Sequence, residues 1–252
     1  MAYSTPRPTA KDLDEFYTSS YFSHTQQDNF GYADYRGMAE FNAKQMWGTL
    51  KKYMDLSHLP SKTLLDVGCA TGGFLASASK EPGWQCTGVE LSEEAVKVAK
   101  EEYDLEAYCG DLETPELRGR SFGLITMWHV LEHLIDPLAE LERVSKMLQP
   151  GGLLFVELPS WSGMGRRLKG SAWKQIKPPE HINYFTPSSL ERCVQRAGLK
   201  PIQTTTHYPS LTDQAWVGGI RMPIHMTKAL LGYAASSVGC GGYLRIVARR
   251  DP

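Results

Sequence analysis

The stretch TLLDVGCATGGF, residues Thr63 to Phe74, decides how this chain is expected to fold. It starts as a short apolar run, which is typical of a strand buried on both faces, and then changes to small residues. A strand that passes through a glycine-rich loop into a helix can hold a nucleotide-like ligand at the start of that helix. Asp66 lies two residues before Gly68, the first glycine of the loop. The ligand must therefore tolerate a nearby carboxylate.

Strands and helices alternate from this stretch to the end of the chain. Apolar runs predict strands at residues 63–67, 85–91, 106–109, 122–128, 153–158, 200–206 and 243–248. Apolar spacing and start or stop signals predict helices at residues 35–55, 72–79, after Ser92, at 138–148 and at 186–198. This order predicts an α/β fold, in which a mainly parallel sheet carries helices on both faces. Ligands of such sheets bind at the carboxyl ends of the strands.

Three segments do not follow the alternation. Residues 1–58 are expected to form an N-terminal helical lid, and residues 59–252 a single ligand-binding domain with inserts at 160–182 and 208–239. Loops of this length in a compact domain are usually functional or mobile. We therefore expect the lid and the inserts to lie over the ligand edge of the sheet, with ordinary surface decoration as the alternative.

The composition is that of an ordinary globular protein. The 252 residues have a formal net charge of −1, with 42% hydrophobic and 22% charged residues, so no strong attraction to nucleic acid or to an anionic membrane is expected. No apolar run approaches the roughly 20 residues of a membrane span, and the N-terminus lacks the apolar core of a secretory signal. The five cysteines are odd in number and include no C-x-x-C pair, which argues against both a disulfide framework and a zinc site. We expect a cytoplasmic protein.

The glycine loop fits two classes of ligand. Gly68, Ala70 and Gly73 nearly match the dinucleotide fingerprint G-x-G-x-x-G, and Glu90 lies near the distance of a ribose-binding acid, so an NAD-dependent oxidoreductase is one hypothesis. Two features count against it. The methyl group of Ala70 stands where the fingerprint leaves room for a pyrophosphate, and Asp66 would repel the phosphate charges. A cationic ligand without phosphates meets neither objection.

Five segments point to such a ligand, S-adenosylmethionine (SAM). LLDVGCATGGF, CTGVELS, CGDLE, FGLITMWHVLEHLIDP and LQPGGLLFVELP resemble, in this order, the motifs of the class I SAM-dependent methyltransferases. The resemblance covers Leu64 to Pro159. It implies a Rossmann-like, seven-stranded sheet and an enzyme that converts SAM to S-adenosylhomocysteine. One departure is Ala70, where the family more often has glycine.

The resemblance also assigns a cofactor site. The loop from Asp66 to Gly72 would hold the methionine end of SAM, and Glu90 would accept a hydrogen bond from each ribose hydroxyl. Adenine would lie between two leucines and donate from its amine to Asp111. The residues expected to contact SAM are Asp66, Gly68, Cys69, Ala70, Gly72, Glu90, Leu91, Asp111, Leu112, Trp128 and His129. The alternatives are that Glu90 caps a helix and that Asp111 is a turn residue.

Transfer of a methyl group to a neutral oxygen or nitrogen also requires a base that removes a proton. Histidine is the natural candidate, and the chain has seven. His181 in the segment PPEHINYF is the first choice, because in relatives a histidine on such a segment often faces the acceptor, and Tyr184 lies beside it. His129 and His133 of HVLEHL are further candidates. The competing interpretation of His181 is a core histidine satisfied by Glu180 or the backbone.

The segment HVLEH raises the question of a metal ion. It matches the H-x-x-E-H zinc pattern of one metallopeptidase class, but here it follows a strand in a nucleotide-type fold. Methyltransferases of ubiquinone synthesis have a related E-x-x-E-H pattern, which is thought to hold a divalent cation near the acceptor. In this chain His129 replaces the first acid. We therefore predict no metal site and expect Glu132 and His133 to cap or brace the start of the next helix.

Three functional classes stay open for a SAM-binding chain. Aromatic residues of the N-terminal stretch, with Trp161 and Trp173 of the first insert, favour an apolar pocket and hence a methyltransferase of small molecules, on oxygen first and on nitrogen or carbon second. The basic clusters MGRRLKGSAWKQIK and LRIVARR favour an RNA methyltransferase, although the whole chain is not basic. A non-catalytic SAM-binding protein is the third class. The sequence defines neither the acceptor nor the oligomeric state.

Overall fold

The computed structural model describes residues 1–9, 12, 36–208 and 239–252, with residues 36–43 described by their backbone. The strands of this part are β1 (Ala2–Tyr3), β2 (Thr63–Val67), β3 (Gln85–Glu90), β4 (Glu106–Cys109), β5 (Phe122–Trp128), β6 (Leu148–Pro159), β7 (Asn183–Tyr184), β8 (Leu199–His207) and β9 (Tyr243–Arg250). Its α-helices are α1 (Arg36–Tyr53), α2 (Gly73–Ala78), α3 (Glu93–Tyr103), α4 (Pro137–Met147), α5 (Met164–Lys169) and α6 (Pro187–Arg196).

Seven of these strands form one sheet in the order β4-β3-β2-β5-β6-β9-β8. The strands from β4 to β6 in this order pair in parallel, whereas β9 is antiparallel to both β6 and β8. This arrangement confirms the predicted seven-stranded, mainly parallel sheet. The strand order changes direction between β2 and β5, so the carboxyl ends of these two strands mark the ligand edge.

Alternating strand residues supply one core on each face of the sheet. On one face of the sheet, a row of side chains from β2, β5 and β6 shares a core with α4 and α6. This row consists of Leu65, Ile125 and Leu154. On the opposite face, the row that shares a core with α1, α2 and α3 consists of Leu64, Leu124 and Leu153. Because side chains alternate between faces, a strand covered on both sides must be apolar throughout. This is why Thr63–Val67 and Phe122–Trp128 contain near-continuous apolar runs.

The glycine loop closes over β3 because the residue opposite Asp66 has no side chain. Gly88 pairs with Asp66, and a Cβ atom at residue 88 would lie 2.5 Å from Sγ of Cys69. The backbone N–H groups of Gly68 and Cys69 donate to the carbonyl of Val89 at 2.8 and 3.2 Å. The loop after β2 is thereby fixed to the neighbouring strand.

Two features of the sheet structure differ from the prediction. β6 begins at Leu148, not at residue 153, because the QPGG segment continues the strand and Leu148 itself pairs with Phe122 of β5. β1 and β7 form a separate two-stranded antiparallel sheet, which joins the N-terminus to the chain after the first insert. Strands of two residues are too short to show a hydrophobic alternation, so this small sheet has no sequence signal.

The first insert folds as α5 and turns that are attached to the main sheet. The N–H of Ser160 donates to the carbonyl of Gly242 at 2.9 Å, and the N–H of Trp161 to that of Phe185 at 2.8 Å. Most of the expected N-terminal lid and residues 209–238 of the second insert lie outside the described residues. The boundary at residues 58–59 stays a prediction. No helix in the described ranges is long and apolar enough to cross a membrane.

Candidate active site

The glycine loop has a left-handed backbone at three residues. The φ angle is 72° at Gly68, 48° at Ala70 and 82° at Gly72. Glycine adopts this conformation readily, whereas another residue does so at a cost of roughly 1–2 kcal/mol. The strained Ala70 is the position at which the related motif more often carries glycine. Its N–H donates to Oε2 of Glu90 at 3.0 Å, which helps to hold it in this conformation.

Asp66 is a buried carboxylate beneath this loop. Its side chain is 3% exposed, and Oδ1 accepts a hydrogen bond from Oγ1 of Thr126 on β5 at 2.6 Å. Burial raises the pKa of Asp66 to about 7; the bond from Thr126 opposes this shift and the nearby charge of Glu90 adds to it. Thr126 was not among the predicted site residues, although a threonine inside the apolar run FGLITMW was a visible signal.

Glu90 ends β3 with both carboxylate oxygens held by the backbone. Oε2 accepts from the N–H of Ala70 at 3.0 Å, and Oε1 accepts from the N–H of Ser92 at 3.2 Å. Each oxygen keeps a lone pair for a further donor, such as a ribose hydroxyl. Glu90 does not cap α3, because Oγ of Ser92 accepts from the N–H of Ala95 at 3.2 Å in that role. The carboxylate is fixed and half-buried across the mouth of the loop.

The predicted adenine contacts lie at the ends of β3 and β4. Leu91 is 62% exposed, whereas Leu112 is buried. The N–H of Gly110 donates to the carbonyl of Glu90 at 3.0 Å, so the two strand ends are joined. Asp111 is exposed, and its Oδ1 accepts from the N–H of residue 113 at 2.8 Å in a turn. An exposed leucine beside a fixed carboxylate offers an apolar surface to a flat base.

β5 ends at Trp128, and the other residue of the predicted pair, His129, follows directly. The indole of Trp128 packs between Phe74 and Phe155, with ring centroids 5.4 and 4.5 Å away. Its Nε1–H is buried and has no hydrogen-bond partner among the described residues. His129 has a left-handed backbone with φ of 56°, and its side chain is 41% exposed. A strained, non-glycine residue at the ligand edge of a sheet is typical of a functional position.

Two carboxylates hold the imidazole of His129. Its Nδ1 lies 3.2 Å from Oε1 of Glu132, and its Nε2 lies 3.5 Å from Oε1 of Glu157. Burial disfavours the charged ring, but the two carboxylates outweigh burial and raise the pKa of His129 to about 10. An imidazolium already carries its proton. The geometry therefore favours His129 as a fixed positive charge over His129 as a base.

Glu157 is the centre of an ion network that the sequence did not predict. It is 8% exposed, forms a very short hydrogen bond with Nε of Arg245, and lies 3.7 Å from Nε2 of His207. Burial alone would raise the pKa of Glu157, but His129 and Arg245 lower it to about 2. The available signal was an acid inside the apolar strand LLFVELP. Its partners come from β8, from β9 and from the residue that follows β5, so spacing along the chain could not reveal them.

Glu132, His133 and His181 lie together next to this network. One possible ligand atom from each residue lies within 4.8 Å of the other two. The two imidazole rings meet edge to face, with centroids 4.7 Å apart. Nδ1 of His133 is 3.0 Å from the carbonyl oxygen of Glu180, and Nδ1 of His181 is 2.9 Å from that of Gln175. The fold thus brings together two of the predicted catalytic histidines from separate segments.

Glu132 and His133 do not cap the next helix, which was one of the two roles predicted for them. They lie in a turn, and α4 begins later, at Pro137, with Asp136 as its N-cap. The short side chain of an aspartate reaches the first N–H groups of a helix, which explains why it takes this role. The backbone carbonyl of Glu132 instead accepts from the N–H of Ile182 at 2.9 Å. The turn therefore supports the first insert.

His181 and Tyr184 are both buried. His181 is 5% exposed, and burial, with the nearby His133, lowers its pKa to about 4. The hydroxyl of Tyr184 donates to the carbonyl of His181 at 2.8 Å. The contact of His181 with the backbone of Gln175 matches the core interpretation that competed with a catalytic one.

A cavity of about 550 Å³ lies between the N-terminus and the first insert. It is lined by Ala2, Tyr3, Ser4, Thr5, Pro6, Trp161, Ile176, Pro178, Pro179 and Tyr184. Its volume lies in the range of small-molecule pockets. Trp161 lines it, as the aromatic pattern predicts, whereas Trp173 is buried with its ring centroid 6.0 Å from that of Trp161.

A family model described as a methyltransferase domain matches residues 38–204, which is more than half of the chain. The match contains β2 to β6, the glycine loop, Glu90 and the histidine cluster. The chain belongs to the SAM-dependent methyltransferases. The predicted family and its enzyme class are therefore confirmed.

Known methyltransferases resemble this one in sequence and in fold. The ubiquinone biosynthesis O-methyltransferase of Idiomarina loihiensis is 33% identical over 153 residues, which cover 56% of this methyltransferase and 63% of that protein, so less than two thirds of the relative is spanned. The SAM-dependent methyltransferase of Thermotoga maritima, a possible histamine N-methyltransferase, superposes with a TM-score of 0.59 at 18% identity, covering 87% and 94% of the two chains.

A second solved structure resembles this methyltransferase in fold. Phosphoethanolamine N-methyltransferase 2 of Haemonchus contortus, determined with SAM, superposes with a TM-score of 0.61 at 16% identity, covering 88% of this chain and 58% of that chain. At such identities the two solved structures establish the fold of this methyltransferase and not its acceptor.

Proposed function

We propose that this methyltransferase binds SAM and transfers its methyl group to a hydroxyl of a small molecule. The observation that carries the proposal is the carboxylate of Glu90, fixed by the N–H groups of Ala70 and Ser92 at the mouth of the glycine loop. Its remaining lone pairs suit the two hydroxyls of a ribose. Membership of the methyltransferase family supports SAM as the ligand.

The site supports one orientation of SAM. The methionine end lies at the loop from Asp66 to Gly72, where a buried carboxylate favours the cationic amino and sulfonium groups. The ribose lies on Glu90, and the adenine covers the exposed face of Leu91, near Leu112 and Asp111. Trp128, at the end of β5, and His129, which follows it, lie against the sulfur side. Cys69 contributes its backbone, because its buried thiol is inert: burial raises the pKa of Cys69 well above its usual range.

The methyl transfer itself requires little catalytic chemistry from the protein. Displacement from a sulfonium requires an aligned acceptor and the exclusion of water, since the cofactor carries the activation. His181, His133 and Tyr184 stay the predicted groups for the acceptor proton, and His129 is proposed to stabilise negative charge. His181 is neutral at pH 7, because its pKa is about 4, so it can accept a proton but is a weak base.

Two observations support a small apolar acceptor. The cavity between the N-terminus and the first insert is lined by aromatic, proline and aliphatic side chains and lies near His181 through Tyr184. The related ubiquinone biosynthesis proteins are named O-methyltransferases, which supports oxygen as the acceptor atom. The basic first insert is less suited to stacking RNA bases, because the guanidinium of Arg166 covers the ring of Trp161 at 4.1 Å and Trp173 is buried.

A screen of SAM with candidate acceptors tests this proposal. Purified protein is incubated with SAM and a panel of phenols, catechols, sugars and amines, and each mixture is analysed by mass spectrometry for the gain of one methyl group. We expect a methylated hydroxyl compound and an equal amount of S-adenosylhomocysteine. Methylation of RNA in place of small molecules, or binding of NAD without binding of SAM, would contradict the proposal.

A further inference from the structure

The first residues of the chain lie against the end of the first insert. Residues 2–7 are called the N-terminal strap below. Ala2 and Tyr3 form β1, which pairs antiparallel with β7, and the N–H of Ser4 donates to the carbonyl of Ile182 at 3.1 Å. The first residues of a domain are poorly ordered unless contacts of this kind tie them down. The N-terminal strap is therefore part of the fold.

The N-terminal strap forms one wall of the cavity described above. Of the ten described residues that line this cavity, the five from Ala2 to Pro6 belong to the strap, and the others belong to the first insert and to β7. This wall exists only while the strap lies against the insert. The shape of the cavity therefore depends on the contacts that hold the strap in place.

One polar atom of the strap is suited to a ligand in this cavity. Ser4 lines the cavity, and its Oγ is buried without a hydrogen-bond partner among the described residues. A buried hydroxyl without a partner requires an explanation in a folded protein. Pockets for small molecules are mostly apolar and contain a few polar groups that orient the ligand. A bound ligand with a polar group would supply the missing contact.

Strand pairing alone holds the strap weakly. β1 and β7 have two residues each, and even a longer two-stranded ribbon is only marginally stable in water. Met1 and Tyr3 are 51% and 61% exposed, so their side chains bury little apolar surface. A further contact is needed to fix the strap.

Arg7 supplies such a contact at the end of the strap. Its Nη2 donates to Oδ1 of Asn183 at 3.0 Å and also to the carbonyl oxygen of Ile135. Asn183 is 1% exposed, and its Nδ2 donates to the carbonyl of Leu134 at 2.6 Å. Hydrogen bonds from a guanidinium are stronger than those between neutral groups. Arg7 thus joins the strap to β7 and to the turn after β5.

We propose that Arg7 is a positioning residue for the acceptor of the methyl group, because it fixes the N-terminal strap as a wall of the acceptor cavity. This role rests on the proposed function, since it takes the cavity as the place of the acceptor. Arg7 is not among the described residues that line the cavity, so it acts through the strap residues that do. Loss of Arg7 should loosen this wall and weaken the binding of the acceptor, whereas the cofactor site at Glu90 should stay unchanged.

Hydrogen–deuterium exchange tests whether Arg7 fixes the strap. Mass spectrometry follows the exchange of a peptide that covers residues 1–9 in the wild type, Arg7→Ala and Arg118→Ala. Arg118 is another exposed arginine and serves as the matched control. We expect the peptide to exchange about tenfold faster or more in Arg7→Ala, since a hydrogen bond from a charged group is lost, and at the wild-type rate in Arg118→Ala. Equal exchange rates in all three proteins would overturn the proposal, because the strap would then be fixed without Arg7.

Steady-state kinetics tests whether the strap positions the acceptor. The hydroxyl compound that the acceptor screen finds to be methylated fastest is the probe, and calorimetry gives the affinity for S-adenosylhomocysteine. We expect Arg7→Ala to raise the KM of this compound about tenfold, with kcat and the affinity for S-adenosylhomocysteine near the wild-type values. An unchanged KM, or an equal loss of affinity for S-adenosylhomocysteine, would overturn the positioning role. If the screen finds no methylated compound, the proposed function fails, whereas hydrogen exchange still decides whether Arg7 fixes the strap.

Discussion

At the scale of single residues, Asp66 links the charge of the ligand to its own protonation. Its buried carboxyl has a pKa of about 7, because burial disfavours the charged form more than Thr126 favours it. A cationic ligand stabilises the ionised carboxylate, whereas a diphosphate stabilises the protonated form. The pH dependence of binding therefore distinguishes SAM from a dinucleotide.

We expect the affinity for SAM to rise with pH up to about pH 7. Below the pKa of Asp66, about 7, the binding of a cation must release the proton of this carboxyl, so the dissociation constant should increase by up to about tenfold per unit of decreasing pH. Calorimetric titrations between about pH 5 and about pH 8, the range in which the carboxyl of Asp66 changes its charge, measure this slope. Asp66→Asn should lack it, and an equal slope in this variant would rule out Asp66 as the source.

The same carboxyl should make the ligand-free fold less stable at neutral pH. The folded pKa of about 7 lies above the usual aspartate pKa of 3.8, so the group destabilises the fold progressively as pH rises from 3.8 to about 7. The loss is about 1.4 kcal/mol per pH unit and levels off above the folded pKa.

We therefore expect the free energy of unfolding of Asp66→Asn, minus that of the wild type, to increase through this pH window. Urea denaturation at a series of pH values measures the difference. A difference that does not change with pH would show that the carboxyl is not protonated in the fold.

The sequence is informative about residues whose role follows from their local context. Asp66 lies in the strand that leads into the glycine loop and Glu90 ends the next strand, so spacing along the chain was sufficient to single them out. Thr126, Glu157 and Arg245 were not predicted as site residues because their partners come from other strands. The distance of 88 positions between Glu157 and Arg245 shows why no local pattern contains this pair.

At the scale of elements, a buried ion pair joins the antiparallel strand β9 to the parallel part of the sheet. Arg245 of β9 pairs in register with Glu157 of β6 and hydrogen-bonds to its carboxylate. Both side chains are about nine-tenths buried. Removal of one partner leaves a buried charge that its remaining neighbours balance only in part.

We expect Arg245→Gln to destabilise the protein by about 3–5 kcal/mol. Arg249→Gln changes an exposed arginine of the same strand and should alter the free energy of unfolding by less than about 0.5 kcal/mol. Chemical denaturation of both variants gives the comparison. If the two variants are equally stable, the pair with Glu157 does not contribute to the stability of the sheet.

The strands of the main sheet could be predicted because each buries enough side chains to produce a pattern. β2, β4 and β5 have the predicted bounds. The two residues of β1 and of β7 are paired only through tertiary structure, and β6 continues through a QPGG segment that is normally a helix stop. The turn that contains Glu132 and His133 was expected at a helix start, because the cap at Asp136 was not recognised.

At the scale of the whole molecule, the candidate functional groups collect at the carboxyl ends of the parallel strands. The glycine loop, Glu90, His129 and the cluster around His181 come from different elements that meet at this edge. The first insert contributes both to the cluster and to the cavity. The sequence could place these groups on strand ends but could not show which histidines meet.

Binding at this edge should stabilise the entire domain. A ligand that binds only the folded state adds about 2.7 kcal/mol to the free energy of unfolding at 100 times its dissociation constant. We expect SAM or S-adenosylhomocysteine to raise the melting temperature, and NAD to leave it unchanged. A rise with NAD alone would favour the oxidoreductase hypothesis.

The most direct test of the account is a calorimetric titration of S-adenosylhomocysteine into the wild type, Glu90→Gln and Glu93→Gln. Glu93 is an exposed acid only three residues from Glu90 and serves as the matched control. We expect one site per chain, a loss of about 10–100-fold in affinity for Glu90→Gln, since hydrogen bonds to a charged group are weakened, and no change for Glu93→Gln. No binding by the wild type, or equal affinities for all three proteins, would contradict the proposed cofactor site.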